Sequence, residues 1–182
     1  GWIVEGYETM FAEVDEQLAM AGIGSPDLVA VPAGVGSVTQ AAVAHYRAAG
    51  RPQRAAILNV EPTSAPCVLA SLALGERTSV ETGITIMAGL NCNSVSSIAW
   101  PLLQQGLDAA VAITDDQDRQ AMRDLAALGI DAGSCGAACL AGAREALVGS
   151  DAAVRRQHLG IDATSVVVLL VTERRLPGFS AE

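Results

Sequence analysis

At 182 residues, half of them apolar and few aromatic, the chain is long enough to bury a substantial core as one domain. Eleven basic against twenty acidic residues leave a net charge of −9, which excludes counterion-release binding to DNA or RNA. No apolar run approaches the ~18 residues of a membrane span, and every basic residue is arginine, with no lysine anywhere.

The N-terminus "GWIVEGYE" carries no basic n-region, so no signal peptide is expected, and four unpatterned cysteines lead us to expect a cytoplasmic setting. The chain begins without Met and opens almost directly into a helix, which reads as a piece of something longer. Residues 7–21 place Tyr7, Met10, Phe11, Val14 and Leu18 on one helical face, with Glu8, Asp15 and Glu16 elsewhere. "GIGSPD" breaks this helix, and Leu28–Val31 follows as a short buried strand. After the glycine loop, Val38–Ala49 is a second helix ending at Gly50, then Ala55–Val60 a second strand closed by "EPT". Ser64–Leu74 reads as helix, Arg77–Asn93 as a loop-rich passage, and Ser94–Gln105 as a helix interrupted by Pro101. Asp108–Ile113 is a third strand, and "TDDQD" supplies a cap and an acidic first turn for a helix over 116–128. Two more helices, 134–148 and 151–158, precede a final strand over 165–171.

Buried strands alternating with helices through short loops imply right-handed crossovers and a largely parallel sheet covered on both faces. The expected fold is therefore an α/β three-layer sandwich, with residues 1–182 as one domain. In such sheets ligands sit beyond the carboxyl ends of the strands, where "AGVGS" falls. Gly34 and Gly36 allow a sharp turn there, and the amides of Gly34, Val35, Gly36 and Ser37 could converge on an anion. A glycine-rich turn without a ligand remains the plain alternative. If a ligand binds, two phosphate chemistries compete. A dinucleotide site would place Glu61 on the ribose, but the third small residue of that pattern is Thr39 here. A cofactor monophosphate needs only the compact cup of amides. Cys67, Cys92, Cys135 and Cys139 show no metal-ligand spacing and read as reduced thiols, Cys135 and Cys139 as packing residues. His45 and His158 are expected at the surface, and Glu61 caps the turn before Pro62.

Several stretches together resemble a known family. "EGYETMFAEVDEQL" (5–18), "VAVPAGVGSVTQAAVAHY" (29–46), "NVEPTSAPCVLAS" (59–71), "TIMAGLNCNSVSSIAWPLL" (85–103) and "LLVTE" (169–173) look like the C-terminal half of diaminopropionate ammonia-lyases. These belong to the tryptophan-synthase-β-like, fold-type-II enzymes that use pyridoxal 5'-phosphate. The resemblance implies that Gly34, Val35, Gly36 and Ser37 hold the cofactor phosphate. It implies too that Gly89 lies along the cofactor ring and that the Thr172 hydroxyl faces the pyridine nitrogen, a role Glu173 takes if the strand end is shifted. Cys92 matches a family cysteine, or is a small buried hydrophobe. Two departures stand out: "AGSCGAA" (132–138) replaces an acidic residue and a serine, and "TERR" puts Arg174 where a glycine is usual, near the cofactor edge.

The resemblance also implies a lysine whose amine forms the Schiff base and moves a proton at the substrate Cα. Arginine cannot replace it, because the guanidinium stays protonated. No catalytic residue is therefore assigned here; in relatives that lysine precedes the matched region. The expected reaction is α,β-elimination of ammonia from a small amino acid such as 2,3-diaminopropionate, in an enzyme that forms homodimers. The alternatives are a non-catalytic phosphate-binding module and a dinucleotide-binding domain.

Overall fold

Four short apolar runs build the sheet: β1 (Leu28–Pro32), β2 (Ala56–Pro62), β3 (Ala109–Ile113) and β4 (Val167–Leu169). In the computed structural model residues 2–50 and 54–175 are described, and for residues 2–5 and 8 the backbone alone; Glu8, expected on the polar side of the first helix, lies outside the described side chains. The strands run in the order β3-β2-β1-β4, every pair parallel, with Leu28 opposite both Ala56 and Val167 and Leu58 opposite Ala109. The central strands are wholly buried and the outer two half-buried, as expected of a parallel sheet with both faces covered.

The helices are α1 (Trp2–Met20), α2 (Ser37–Tyr46), α3 (Cys67–Leu74), α4 (Trp100–Gly106), α5 (Asp115–Ala127), α6 (Ser134–Leu147) and α7 (Ala152–Leu159). Two neighbours on β2 fix the layers. The Asn59 side chain accepts a hydrogen bond from Thr39 Oγ1 of α2 at 3.1 Å. The Val60 side chain lies so close to Gly142 of α6 that a Cβ on that glycine would fall 2.4 Å from it. Adjacent strand residues point to opposite faces, so α2 and α6 lie on opposite sides of the sheet. Helices α1, α4 and α3 extend the first outer layer and α5 and α7 the second. This is the three-layer sandwich the alternation predicts.

Differences from the expected boundaries have local causes. Helix α1 starts at Trp2, five residues before the apolar spacing becomes clear. Pro101 does not interrupt a helix; it sits in the first turn of α4, where its missing N–H costs nothing. Helix α3 starts at Cys67 rather than Ser64 because Pro66 holds the preceding residue out of helical geometry. β4 is shorter than 165–171, although its flanks still follow β1: Val166 O accepts from Asp27 and Leu28, and Leu170 N–H donates to Ala30 O.

His45 corrects a surface expectation. It is half-buried between α1 and α2, its ring stacked 5.7 Å from Phe11 and its Nε2 2.8 Å from Asp15 Oδ2. His158 is exposed, with Nε2 3.0 Å from the carbonyl of Asp108.

Candidate functional site

Because all strands are parallel, their carboxyl ends lie along one edge. There the loop after β1 and the segment after β4 open onto a cavity of about 430 Å³. Gly34, Val35, Gly36, Ser37, Gly89 and Thr172, which belong to three separate stretches of chain, all line it.

The two loop glycines serve different ends. Gly36 has φ 93°, a left-handed conformation that ordinary residues rarely adopt, and it turns the chain into α2. Gly34 is a matter of space: a Cβ there would lie 2.9 Å from both Cys92 Sγ and the Gly89 carbonyl. Carbonyls of the loop are engaged outward, Val35 O by Ser96 N–H at 2.9 Å and Gly36 O by Gln40 N–H at 2.8 Å. The amides are not. Among the described residues, none of the N–H groups of 34–37 donates to a protein oxygen, and the Ser37 hydroxyl makes no hydrogen bond. The Val35 amide lies near the Cys92 sulfur. No acidic residue occupies the first turn of α2, so the positive end of that helix adds to a cradle suited to an anion.

The opposite wall is built by 172–173 and the start of α6. Thr172 is exposed and Glu173 half-buried. Glu173 Oε2 accepts the Cys135 N–H at 2.9 Å, and the Glu173 carbonyl accepts the Gly133 N–H at 2.9 Å. A Cβ on Gly136 would come within 2.3 Å of that carbonyl, so the glycine permits the contact. Arg174 does not reach the cavity. Its side chain, 85 % exposed, turns back to pair with Asp131 at 3.0 Å, which corrects the expectation of a positive charge at this edge.

Cys135 also differs from expectation. It is not only a packing residue but part of the wall of the cavity that Tyr7 of α1 and Cys92 also line. Burial and the neighbouring Glu173 carboxylate push its thiol up to about 11, so it stays uncharged at neutral pH. Burial likewise raises Cys92. Cys139, one turn further along α6, is fully buried and purely a core residue. The four cysteines are free thiols, and among the described residues no group of three or more His, Cys, Asp or Glu side chains could hold a metal ion. No described helix is long and apolar enough to cross a membrane.

Glu61 lies apart from the cavity and is fully buried. Its carboxylate accepts the amides of Val68 at 2.7 Å and Leu69 at 2.8 Å, and Asn59 Nδ2 at 3.2 Å. It therefore caps α3 rather than the turn before Pro62. Burial raises it to about 7 despite those two amides. The ribose contact that a dinucleotide reading requires is not open to it. Thr39, buried against Asn59, likewise fills the position where that pattern needs a small residue.

A family model described as pyridoxal-phosphate dependent enzyme matches residues 1–173. The diaminopropionate ammonia-lyase of Salmonella typhimurium is 29 % identical over 184 residues, covering 94 % of this chain and 45 % of that protein. The enzyme of the same name from Escherichia coli K12 is 30 % identical over 125 residues, 68 % of this chain and 31 % of that one. The chain thus spans less than half the length of these curated relatives. Among solved structures, Escherichia coli diaminopropionate ammonia lyase in complex with an aminoacrylate-PLP azomethine reaction intermediate superposes with TM-score 0.82 at 26 % identity, over 95 % of this chain and 45 % of that one. The threonine deaminase of T.th. shares the fold at TM-score 0.77 and 22 % identity, over 95 % of this chain and 57 % of that one.

Proposed function

The chain belongs to the pyridoxal-phosphate-dependent enzymes, and from that premise we propose that it forms the phosphate-holding side of an ammonia-lyase acting on 2,3-diaminopropionate. The supporting observation is the row of amides at 34–37, left without protein oxygen acceptors at the start of α2. A phosphate dianion fits such a cradle, since it offers several acceptors and takes up the helix-end charge. Gly34 supports the fit further, because any side chain there would meet Cys92 and Gly89.

In this reading Gly34, Val35, Gly36 and Ser37 bind the phosphate, and Gly89 leaves room for the ring. Thr172 and Glu173 hold the wall on the pyridine side. When bound, the cofactor supplies an electron sink for the charge left at Cα after deprotonation. These 182 residues contain no lysine, so the amine that accepts the Cα proton lies outside them. The acid that protonates the departing β-amino group is not assigned to them either. With one water, 2,3-diaminopropionate would give pyruvate and two ammonia. The two ammonia-lyase relatives support this substrate, and a relative in complex with D-serine supports a small amino acid as the partner class. The active form in this reading is a cytoplasmic homodimer, and residues 1–182 are one α/β domain in the C-terminal part of a longer enzyme.

Calorimetric titration tests the cradle. Pyridoxal phosphate should bind at least about tenfold more tightly than pyridoxal, from the charge-assisted hydrogen bonds to its phosphate; equal affinities would remove the reading. Pyruvate and ammonia release from 2,3-diaminopropionate by the protein together with its lysine-bearing part tests the reaction. The second reading is a cofactor-binding module without chemistry, which the open amides at 34–37 would serve equally well. Cofactor binding with no turnover in that assay would select it.

A further inference from the structure

The cavity wall carrying Gly89 is a strap with little regular structure, a single 3-10 turn at Ala88–Leu90. Something must fix it, because the Gly89 carbonyl lies at the limit of approach to Gly34, 2.9 Å from where a Cβ on Gly34 would sit. Asp115 does so from outside the cavity. Its Oδ1 accepts the Thr85 hydroxyl at 2.6 Å and its Oδ2 accepts the Ile86 amide at 3.2 Å. Thr85 Oγ1 in turn accepts the Met87 amide at 3.1 Å. From α6, the Ser134 hydroxyl donates to the Ile86 carbonyl at 2.7 Å, so residue 86 is gripped through both its amide and its carbonyl.

Asp115 is not needed to cap its own helix. Thr114 and Gln117 already form a reciprocal capping box at the start of α5, Gln117 N–H donating to Thr114 Oγ1 and Thr114 N–H to Gln117 Oε1. Its two oxygens are spent on the strap instead, reaching back about thirty residues along the chain.

We propose that Asp115 is a positioning residue for the cofactor: with Thr85 and Ser134, it sets the gap between Gly89 and the 34–37 loop into which the ring must fit. This rests on the phosphate cradle proposed above. The two halves of the ligand should then respond differently. Loosening the strap disturbs the ring side and leaves the phosphate side intact.

Titrations of the protein with deoxypyridoxine phosphate, which lacks the aldehyde, and with inorganic phosphate test this. Asp115→Asn and Thr85→Val should each weaken deoxypyridoxine phosphate about tenfold, as expected for one lost charge-assisted hydrogen bond, and change phosphate affinity by less than about twofold. Thr85→Ser, which keeps the hydroxyl, should bind both ligands as the parent does. Equal losses for both ligands mean general damage and overturn the assignment, as does no loss for either. If the parent protein binds neither ligand, the cradle itself fails and this assignment falls with it, an outcome distinct from a strap that does not matter.

Discussion

Helices α2 and α3 begin under the same conditions and end up with opposite roles. Each follows a central strand that ends in proline, Val31-Pro32 on β1 and Glu61-Pro62 on β2. Each exposes amides with no partner inside the helix. At α3 the chain supplies its own acceptor: Glu61 reaches two of those amides and closes the end. At α2 the residue before the proline is valine, the first turn holds no acid, and the amides stay open to the cavity. One side chain at the end of a strand thus separates an end used for stability from one available to a ligand. The start of α6 is closed in the same manner, by Glu173 on Cys135.

That contrast can be broken at four points. The largest effect is expected from Gly34→Val, which fills the cradle and meets Cys92 and the Gly89 carbonyl; cofactor affinity measured by titration should fall more than about 100-fold. Second, Glu61→Ala opens α3 and leaves buried amides unsatisfied. Denaturant unfolding should show a loss of about 3 kcal/mol, with cofactor affinity little changed.

Third, Glu61 can be set against Asp118, another fully buried acid, raised to about 7 by burial, Asp115 and Glu173. Unlike Glu61, Asp118 has no hydrogen-bond partner for either oxygen among the described residues. From about pH 4 to 7 the folded chain retains protons on both groups that the unfolded chain has released, so stability should fall as pH rises through this window. Asp118→Asn should remove its share, gaining on the order of 2 kcal/mol at pH 8 relative to pH 4 in urea titrations. Glu61→Gln should give no such gain, because it surrenders an acceptor. Fourth, Ser37→Asp would make α2 resemble α3. An internal carboxylate on the open amides should weaken pyridoxal phosphate about tenfold by competition, while the melting temperature holds or rises slightly.

Much of this was readable in advance, and for one reason: local patterns report local structure. The alternation of short apolar runs with helical spacing announced a parallel layered fold, and Gly34-Val-Gly36-Ser37 between strand and helix marked the loop. What could not be read depended on contacts between distant segments. Cys135 faces the cavity only because α6 is drawn against Glu173, through Gly133 and Gly136. The i,i+4 spacing of Cys135 and Cys139 carries no sign of that difference. Arg174 looked placed to crowd the site, but Asp131, more than forty residues earlier, draws it away. His45 reads as a surface residue until α1 packs across α2 and sets Phe11 and Asp15 beside it. Tyr7 was assigned correctly to an apolar helical face, yet nothing in that face indicated that it borders the cavity.

Gly142, seated on Val60, gives α6 a fulcrum midway along its length. Cys135 lies two turns away on the same stiff rod, so even one methyl group added at 142 acts as a shim, and its tilt is felt at the far tip. The breadth of the mouth is therefore set partly from the interior, by a residue that does not line the cavity. Gly142→Ala would reshape the cavity without any change among its lining residues.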